Sequence, residues 1–134
     1  MLGDNAYGIE CVKRLNGTIK LIRGNHDTDA RWKLYATLPN VECLGWAEVI
    51  KYKKYQFYLS HHPTMTSNLE KAPYLRMHLI NLCGHRHTNN RFEDMINGNV
   101  IYHVEVDAHN NFPVEIDQII DELKIFLANN DQKD

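Results

Sequence analysis

The sequence of 134 residues lacks any apolar run that approaches the ~20 residues a membrane-spanning helix needs. Its first residues, MLGDNAYG, also lack the basic and apolar regions of a signal peptide. The three cysteines, Cys11, Cys43 and Cys83, form no CxxC pair, which argues against a disulfide framework or a thiolate zinc cage. We therefore expect a cytoplasmic protein without a membrane partner, in which the cysteines are small buried hydrophobic residues.

An excess of basic residues is absent too. Fifteen Lys and Arg against seventeen Asp and Glu give a net charge of −2, so no strong positive field attracts nucleic acid and no nucleic-acid partner is expected. The basic stretch KYKK at 51–54 is predicted to be the solvated tip of a hairpin. The length and the balance of hydrophobic and charged residues are typical of one soluble globular domain.

Apolar periodicity predicts a mixture of helices and strands. Ile9, Val12 and Leu15 share one helical face that ends near Gly17, and the C-terminal residues 116–127 repeat apolar side chains at helical intervals. The other predicted elements are a strand over 19–22, a helix from Thr28 or Asp29 to Pro39, a hairpin whose second strand is 55–60, and strands over 79–83 and 100–106. This mixture favours an α/β fold built around one or two sheets with helices outside.

Eight histidines are many for this length, and their clustering is informative. The stretch LINLCGHRH, residues 79–87, ends an apolar run at Gly84 and places His85 and His87 one residue apart. Alternate residues of an extended segment point the same way, so the two imidazoles could share a metal ion. An ordinary polar turn after a strand is the alternative.

Three other predicted strand ends also carry polar clusters. They are LGDN with Asp4, RGNHD with Asn25, His26 and Asp27, and SHHP with His61 and His62. Loops at one edge of a sheet gather site residues from several strands, so these clusters are predicted to meet. A mixed set of nitrogen and oxygen ligands suits Mn, Fe, Ni or Zn, whereas a calcium site would be all oxygen.

The ordered motifs GD, GNHD, SHxP and GHxH resemble those of the calcineurin-like metallophosphoesterase family, and VDAHNNFPVEIDQIIDEL resembles the last strand and helix of its small bacterial and phage members. The resemblance implies an α/β/β/α sandwich with two divalent metal ions at one edge. It also implies that a metal-bound hydroxide hydrolyses phosphomonoesters or phosphodiesters.

The resemblance assigns roles residue by residue. Asp4 is implied to bridge both ions, and His26 to contact the phosphate and protonate the leaving oxygen. The remaining ligands of one ion are implied to be Asn25, His61 and His85, and the other ion takes His87.

Several other residues in or near the motifs have two possible interpretations. His62 is interpreted as facing substrate or solvent, because the resemblance places the metal on the first histidine of SHxP. Arg86 and Arg31 have guanidinium groups that suit phosphate, although surface arginines are common. Asp27 either orients a ligand or begins a helix. Three more histidines are predicted to be ordinary strand or loop residues: His78, His103 and His109.

Family members begin with a strand ending in D-x-H, a helix and a second strand leading into GD, whereas this chain starts three residues before Asp4. We therefore expect one N-terminally incomplete domain over 1–134 that lacks the first strand-helix-strand unit, holds one ion firmly and is impaired as a hydrolase. Tyr7 replaces the second aspartate of the GDxxDRG pattern, so a small phosphoester is the expected substrate. The alternatives are an inactive binding scaffold of the same fold and a histidine-rich structural zinc domain.

Overall fold

The computed structural model describes residues 1–4, 8–66, 68, 74–93 and 98–130. These residues form a mixed α/β fold with two sheets and three α-helices, in agreement with the coarse fold prediction. The helices are α1 (Ile9–Lys13), α2 (Asp29–Tyr35) and α3 (Ile116–Asn130). The strands are β1 (Ile19–Ile22), β2 (Val41–Gly45), β3 (Ala47–Tyr52), β4 (Tyr55–Ser60), β5 (Leu79–Cys83) and β6 (Ile101–His103).

The smaller sheet pairs β1 and β2 in parallel, with Ile19 opposite Val41. Leu2 forms a parallel bridge to Ile22, and the Gly3 N–H donates to the Ile22 carbonyl at 2.8 Å. The N-terminal segment and β1 therefore run in the same direction. As a result, the GD and GNHD motifs leave this sheet side by side.

The larger sheet has the order β3-β4-β5-β6. β3 and β4 form an antiparallel hairpin, whereas β4, β5 and β6 are parallel to one another. Leu59 lies opposite Leu82, so the chain leaves β4 at His61 and β5 at Gly84 along the same edge. The Gly84 N–H donates to the His61 carbonyl at 3.1 Å, which ties the SHHP and GHRH segments together.

Two hydrophobic clusters hold these elements in place. The smaller cluster packs α1 and α2 on β1 through Val12, Leu21, Tyr35 and Leu38. The larger cluster packs α3 against one face of the larger sheet and also includes Ile22 of β1. Because Leu21 and Ile22 are consecutive residues of a strand, they point to opposite faces and contribute to different clusters. Central members of the larger cluster are Phe57, Leu59, Ile80, Leu82, Tyr102 and Leu123.

Two helix and strand predictions need correction. Helix α1 ends at Lys13, so Leu15 does not extend its buried face and is 40% exposed. The helix ends four residues before Gly17, which has a φ of +82° and lies in the connection to β1. The strand predicted over 100–106 is only Ile101–His103, because residues 106–109 turn into a short 3-10 helix.

Strand β2 was not predicted, since its side chains do not alternate cleanly between buried and exposed. It forms because β1 offers it a parallel partner. The prediction of three buried cysteines was wrong for Cys11, which is exposed on the short helix α1, while Cys43 is half-buried and Cys83 is buried.

The KYKK segment spans the turn of the β3–β4 hairpin, where the sequence placed it. The Lys53 ammonium lies 2.6 Å from a carboxylate oxygen of Asp117 at the start of α3, so one positive charge of the KYKK segment is paired. Within the part of the chain that the structure describes, no helix has the length and apolar character needed to cross a bilayer.

Replacing Leu123 of α3 by alanine is expected to lower the free energy of unfolding by about 2–5 kcal/mol, because its fully buried side chain fills the larger cluster. Urea unfolding of purified protein measures the change. Ile125→Ala on the same helix is the control, since Ile125 is 63% exposed and its truncation should change the free energy by less than about 1 kcal/mol. Equal losses in both variants would contradict the observed packing of α3.

Candidate metal centre

His61, the first residue after β4, is at the centre of the site. Its side chain is only 4% exposed, and Nδ1 lies 3.1 Å from the Leu2 carbonyl oxygen. A carbonyl oxygen can only accept a hydrogen bond, so Nδ1 carries the proton. In the neutral ring, Nε2 then presents a lone pair toward the site, as in a histidine that binds metal and donates its other N–H to a carbonyl.

Three other predicted ligands converge on that Nε2 atom. Asn25 Oδ1 lies 2.8 Å from it, His85 Nδ1 lies 3.0 Å from it, and Asp4 Oδ2 lies 3.3 Å from it. The four residues come from four separate loops, successively 21, 36 and 24 residues apart along the chain, yet three of their ligand atoms converge on the fourth. The structure thus brings together the whole set predicted for one ion: Asp4, Asn25, His61 and His85.

These contacts are suited to a cation. If His85 Nδ1 carries a proton, it can donate a hydrogen bond to the lone pair of His61 Nε2. Asn25 Oδ1 and Asp4 Oδ2 still face that lone pair, and no proton lies between them and Nε2. A divalent ion among the four atoms would satisfy all of them. Two ligand atoms bound to the same ion at about 2.0–2.1 Å lie roughly 3.0–3.4 Å apart, close to the separations observed here.

The GNHD loop holds Asp4 from the other side. The backbone N–H of His26 donates to Asp4 Oδ1 at 2.8 Å, leaving Oδ2 directed to His61. Asp27 is buried, and its Oδ2 accepts from the Gly24 N–H at 2.9 Å. Asp27 therefore shapes the loop that carries Asn25. Thr28, rather than Asp27, caps α2 by accepting a hydrogen bond from the Arg31 N–H.

The two motif glycines are packed against ligands. A Cβ atom added to Gly3 would lie 2.2 Å from His61 Nδ1, and one added to Gly24 would lie 2.2 Å from the Asp4 backbone nitrogen. Such separations are far inside van der Waals contact. The absence of a side chain at Gly3 and Gly24 lets their loops approach the predicted ligands closely, a role that the sequence analysis did not assign. The signal was the position of each glycine directly before a predicted ligand.

The backbone at the site is unusual. Six described residues other than glycine have positive φ, and half of them are predicted ligands: Asp4 at +45°, His85 at +73° and His87 at +48°. This left-handed conformation is uncommon for residues with a side chain and concentrates at functional sites. Partial burial and the neighbouring imidazoles of His62 and His61 lower the pKa of His85. The neutral ring, which is the metal-binding form, is therefore favoured.

His62 lies beside the centre. Its ring centroid is 4.9 Å from that of His61 and 4.3 Å from that of His85, and the ligand nitrogens of the three rings lie within 4.8 Å of one another. His62 could therefore complete an alternative, three-histidine ligand set for one ion together with His61 and His85. Its assignment to substrate remains a prediction.

His87 is set apart from the four converging residues. It is exposed, and its Nδ1 lies 3.0 Å from Asp107 Oδ2. His87 nevertheless lines the same cavity of about 630 Å³ as Asp4, His61 and His85. Apolar side chains, among them Leu82, also line this cavity. The structure therefore places His87 at the edge of the site, and Asp107 is a contact that sequence reasoning did not find.

The remaining predicted site residues lie around the centre. The His26 ring is exposed and makes no hydrogen bond to another described residue, although its backbone binds Asp4. Arg86 Nη1 lies 3.5 Å from Glu93 Oε1, so its guanidinium group is directed to that carboxylate. Arg31 donates to the His26 carbonyl at 2.9 Å. Contact of Arg86 or Arg31 with substrate phosphate stays a prediction.

The other three histidines have structural surroundings. All are buried: His78 Nδ1 lies 3.0 Å from the Gly98 carbonyl oxygen, His109 Nε2 lies 2.9 Å from that of His103, and the His103 ring contacts Glu93. These contacts fix strands and loops and are remote from the converging lone pairs.

Comparison with protein-family models, with curated proteins and with solved structures finds no significant match to this chain.

Proposed function

We propose that this chain is a metal-dependent phosphoester hydrolase of the calcineurin-like metallophosphoesterase type, with the layered sandwich of that family. The observation that carries the proposal is the convergence of Asp4, Asn25 and His85 on His61 Nε2 from four separate loops. Turn chemistry explains polar residues in each loop, but it does not explain why their lone pairs meet.

The donor set fits one divalent transition-metal ion. Two imidazole nitrogens, a carboxylate oxygen and an amide oxygen suit Mn, Fe, Ni or Zn. A second ion would find only Asp4 and His87 among the residues assigned to it, whereas catalytic zinc sites usually have three protein ligands. We therefore propose one firmly held ion and a weaker second position. When bound, the ions activate water as the nucleophile and neutralise charge on the phosphoryl group.

The chain's own residues would position the reaction. The carboxylate of Asp4 is anchored by the His26 N–H through one oxygen, so the other oxygen stays directed to the centre. His61 is fixed by its hydrogen bond to Leu2. The substrate expected at this open site is a small phosphomonoester or phosphodiester. Its phosphate would meet the exposed rings of His26 and His62, and its leaving oxygen would receive a proton from His26.

The overall proposal is tested by incubating the protein with bis(p-nitrophenyl) phosphate and with p-nitrophenyl phosphate in the presence of Mn²⁺. Turnover that a chelator abolishes and added Mn²⁺ restores is the expected result. Metal binding without turnover of either ester would favour the inactive scaffold. One zinc ion whose removal unfolds the protein would instead favour a structural zinc domain.

His26→Ala is expected to lower kcat about 10²–10⁴-fold on phenyl esters, because a phenol leaving group needs a proton from a general acid. The loss on the matching p-nitrophenyl esters should be smaller, since that leaving group is stable as an anion. Metal content should stay unchanged, because His26 binds Asp4 through its backbone N–H and not through its ring.

The control for this experiment is Lys33→Ala, an exposed residue of the neighbouring helix α2 that should keep both rates. Equal losses on phenyl and p-nitrophenyl esters in His26→Ala would argue against a proton donor at this position.

A further inference from the structure

Asp107 makes a contact that neither turn geometry nor stability explains. Its Oδ2 lies 3.0 Å from Nδ1 of His87. A carboxylate can only accept a hydrogen bond, so His87 carries its proton on Nδ1 and keeps the lone pair on Nε2. Because His87 is 80% exposed and Asp107 is 38% exposed, an ion pair between them adds little to folding stability.

The segment around Asp107 also holds the rest of the GHRH loop. The side chain of Glu105 is only 9% exposed, and its Oε1 accepts from the Thr88 N–H at 2.7 Å. Two carboxylates of one short segment thus hold the GHRH loop: Glu105 binds the residue directly after His87, and Asp107 binds His87 itself. The segment continues into the 3-10 helix Val106–His109, which is anchored by the buried His109 ring. The backbone that carries Asp107 is therefore held in place.

We propose that Asp107 is a positioning residue that fixes His87 in the Nδ1–H form and thereby presents Nε2 as a ligand for the weaker second divalent ion. His87 and Asp107 both line the cavity that exposes Asp4, His61 and His85. A carboxylate that receives the free N–H of a ligating histidine sets its tautomer and ring orientation. This inference rests on the proposed function for its second ion, but the tautomer of His87 is independent of any turnover.

The experiment uses long-range nitrogen–proton NMR spectra of the histidine rings in the full chain, first without metal and then during titration with Zn²⁺. Wild-type His87 is expected to carry its proton on Nδ1. Asp107→Asn should raise the zinc concentration that half-saturates the His87 resonances about 10–100-fold, because an amide can donate to Nδ1 and favour the other tautomer. Asp107→Glu, which keeps the carboxylate, should show a smaller increase.

Asp121→Asn is the matched control, because Asp121 is an exposed aspartate whose carboxylate also pairs with a neighbouring cation, Lys124. It should leave the titration unchanged. Thermal unfolding of the metal-free proteins should be similar for all variants. A wild-type His87 protonated on Nε2, or an Asp107→Asn variant that titrates like Asp121→Asn, would overturn the inference. Failure of the hydrolase proposal would show separately, as absence of turnover in a protein whose His87 still behaves as expected.

Discussion

His61→Ala is expected to weaken zinc binding at the firmly held site by more than about 100-fold, because even the outer partners of metal ligands contribute 10–100-fold. The His61 ring supplies Nε2, the atom on which Asp4, Asn25 and His85 converge. Removal of the ring therefore leaves the lone pairs of those three side chains facing one another. Isothermal titration of the metal-free protein with Zn²⁺ measures the affinity, and metal analysis of purified protein measures the content.

Two companion variants identify the ligand set in the same assay. Asp4→Asn keeps the shape of the side chain but removes the charge, and it should lower affinity strongly if Asp4 is a ligand. His62→Ala should have a much smaller effect, because the His62 ring lies beside the converging atoms. The reverse order would indicate a three-histidine site of His61, His62 and His85. Zinc binding by His61→Ala within threefold of wild type would contradict both arrangements.

Gly24→Ala is expected to disrupt the centre although it changes no ligand. The new Cβ would lie 2.2 Å from the Asp4 backbone nitrogen and 2.3 Å from its Oδ1, so either the GNHD loop or the N-terminal segment must move. Overpacking of this kind destabilises a protein by about 1–3 kcal/mol. We expect that loss in urea unfolding of the metal-free protein, together with at least a tenfold loss of zinc affinity because Asp4 and Asn25 are separated.

Gly8→Ala is the control for this substitution. Gly8 is extended, and among the described residues other than its chain neighbours no atom lies within 4 Å of a Cβ built on it, so its replacement should change the free energy of unfolding by less than about 1 kcal/mol. Zinc affinity should remain that of the wild type. If Gly24→Ala bound zinc as tightly as Gly8→Ala, the close approach of the two loops would not be needed for the site.

Much of the fold could be predicted because local signals agree with it. Strands β1, β4 and β5 carry apolar runs that end at a glycine or a polar cluster, and α3 repeats apolar residues at helical spacing. Strand β2 could not be predicted, since only its pairing with β1 makes it a strand. Leu15 was misassigned because apolar periodicity continues past Lys13, where the helix ends.

The sequence by itself determined the kinds of ligand and their order along the chain, because GD, GNHD, SHHP and GHRH each follow an apolar segment. Only the tertiary structure decided which of these side chains meet. Leu2 pairs in parallel with β1 in one sheet and β4 with β5 in the other, and the loops that leave the two sheets contact one another. It also decided that Gly3 and Gly24 lie close to the proposed ligands His61 and Asp4, and that Asp107 contacts His87. Contacts between residues remote in sequence depend on which strands pair with one another, and a single motif does not show its strand's partner.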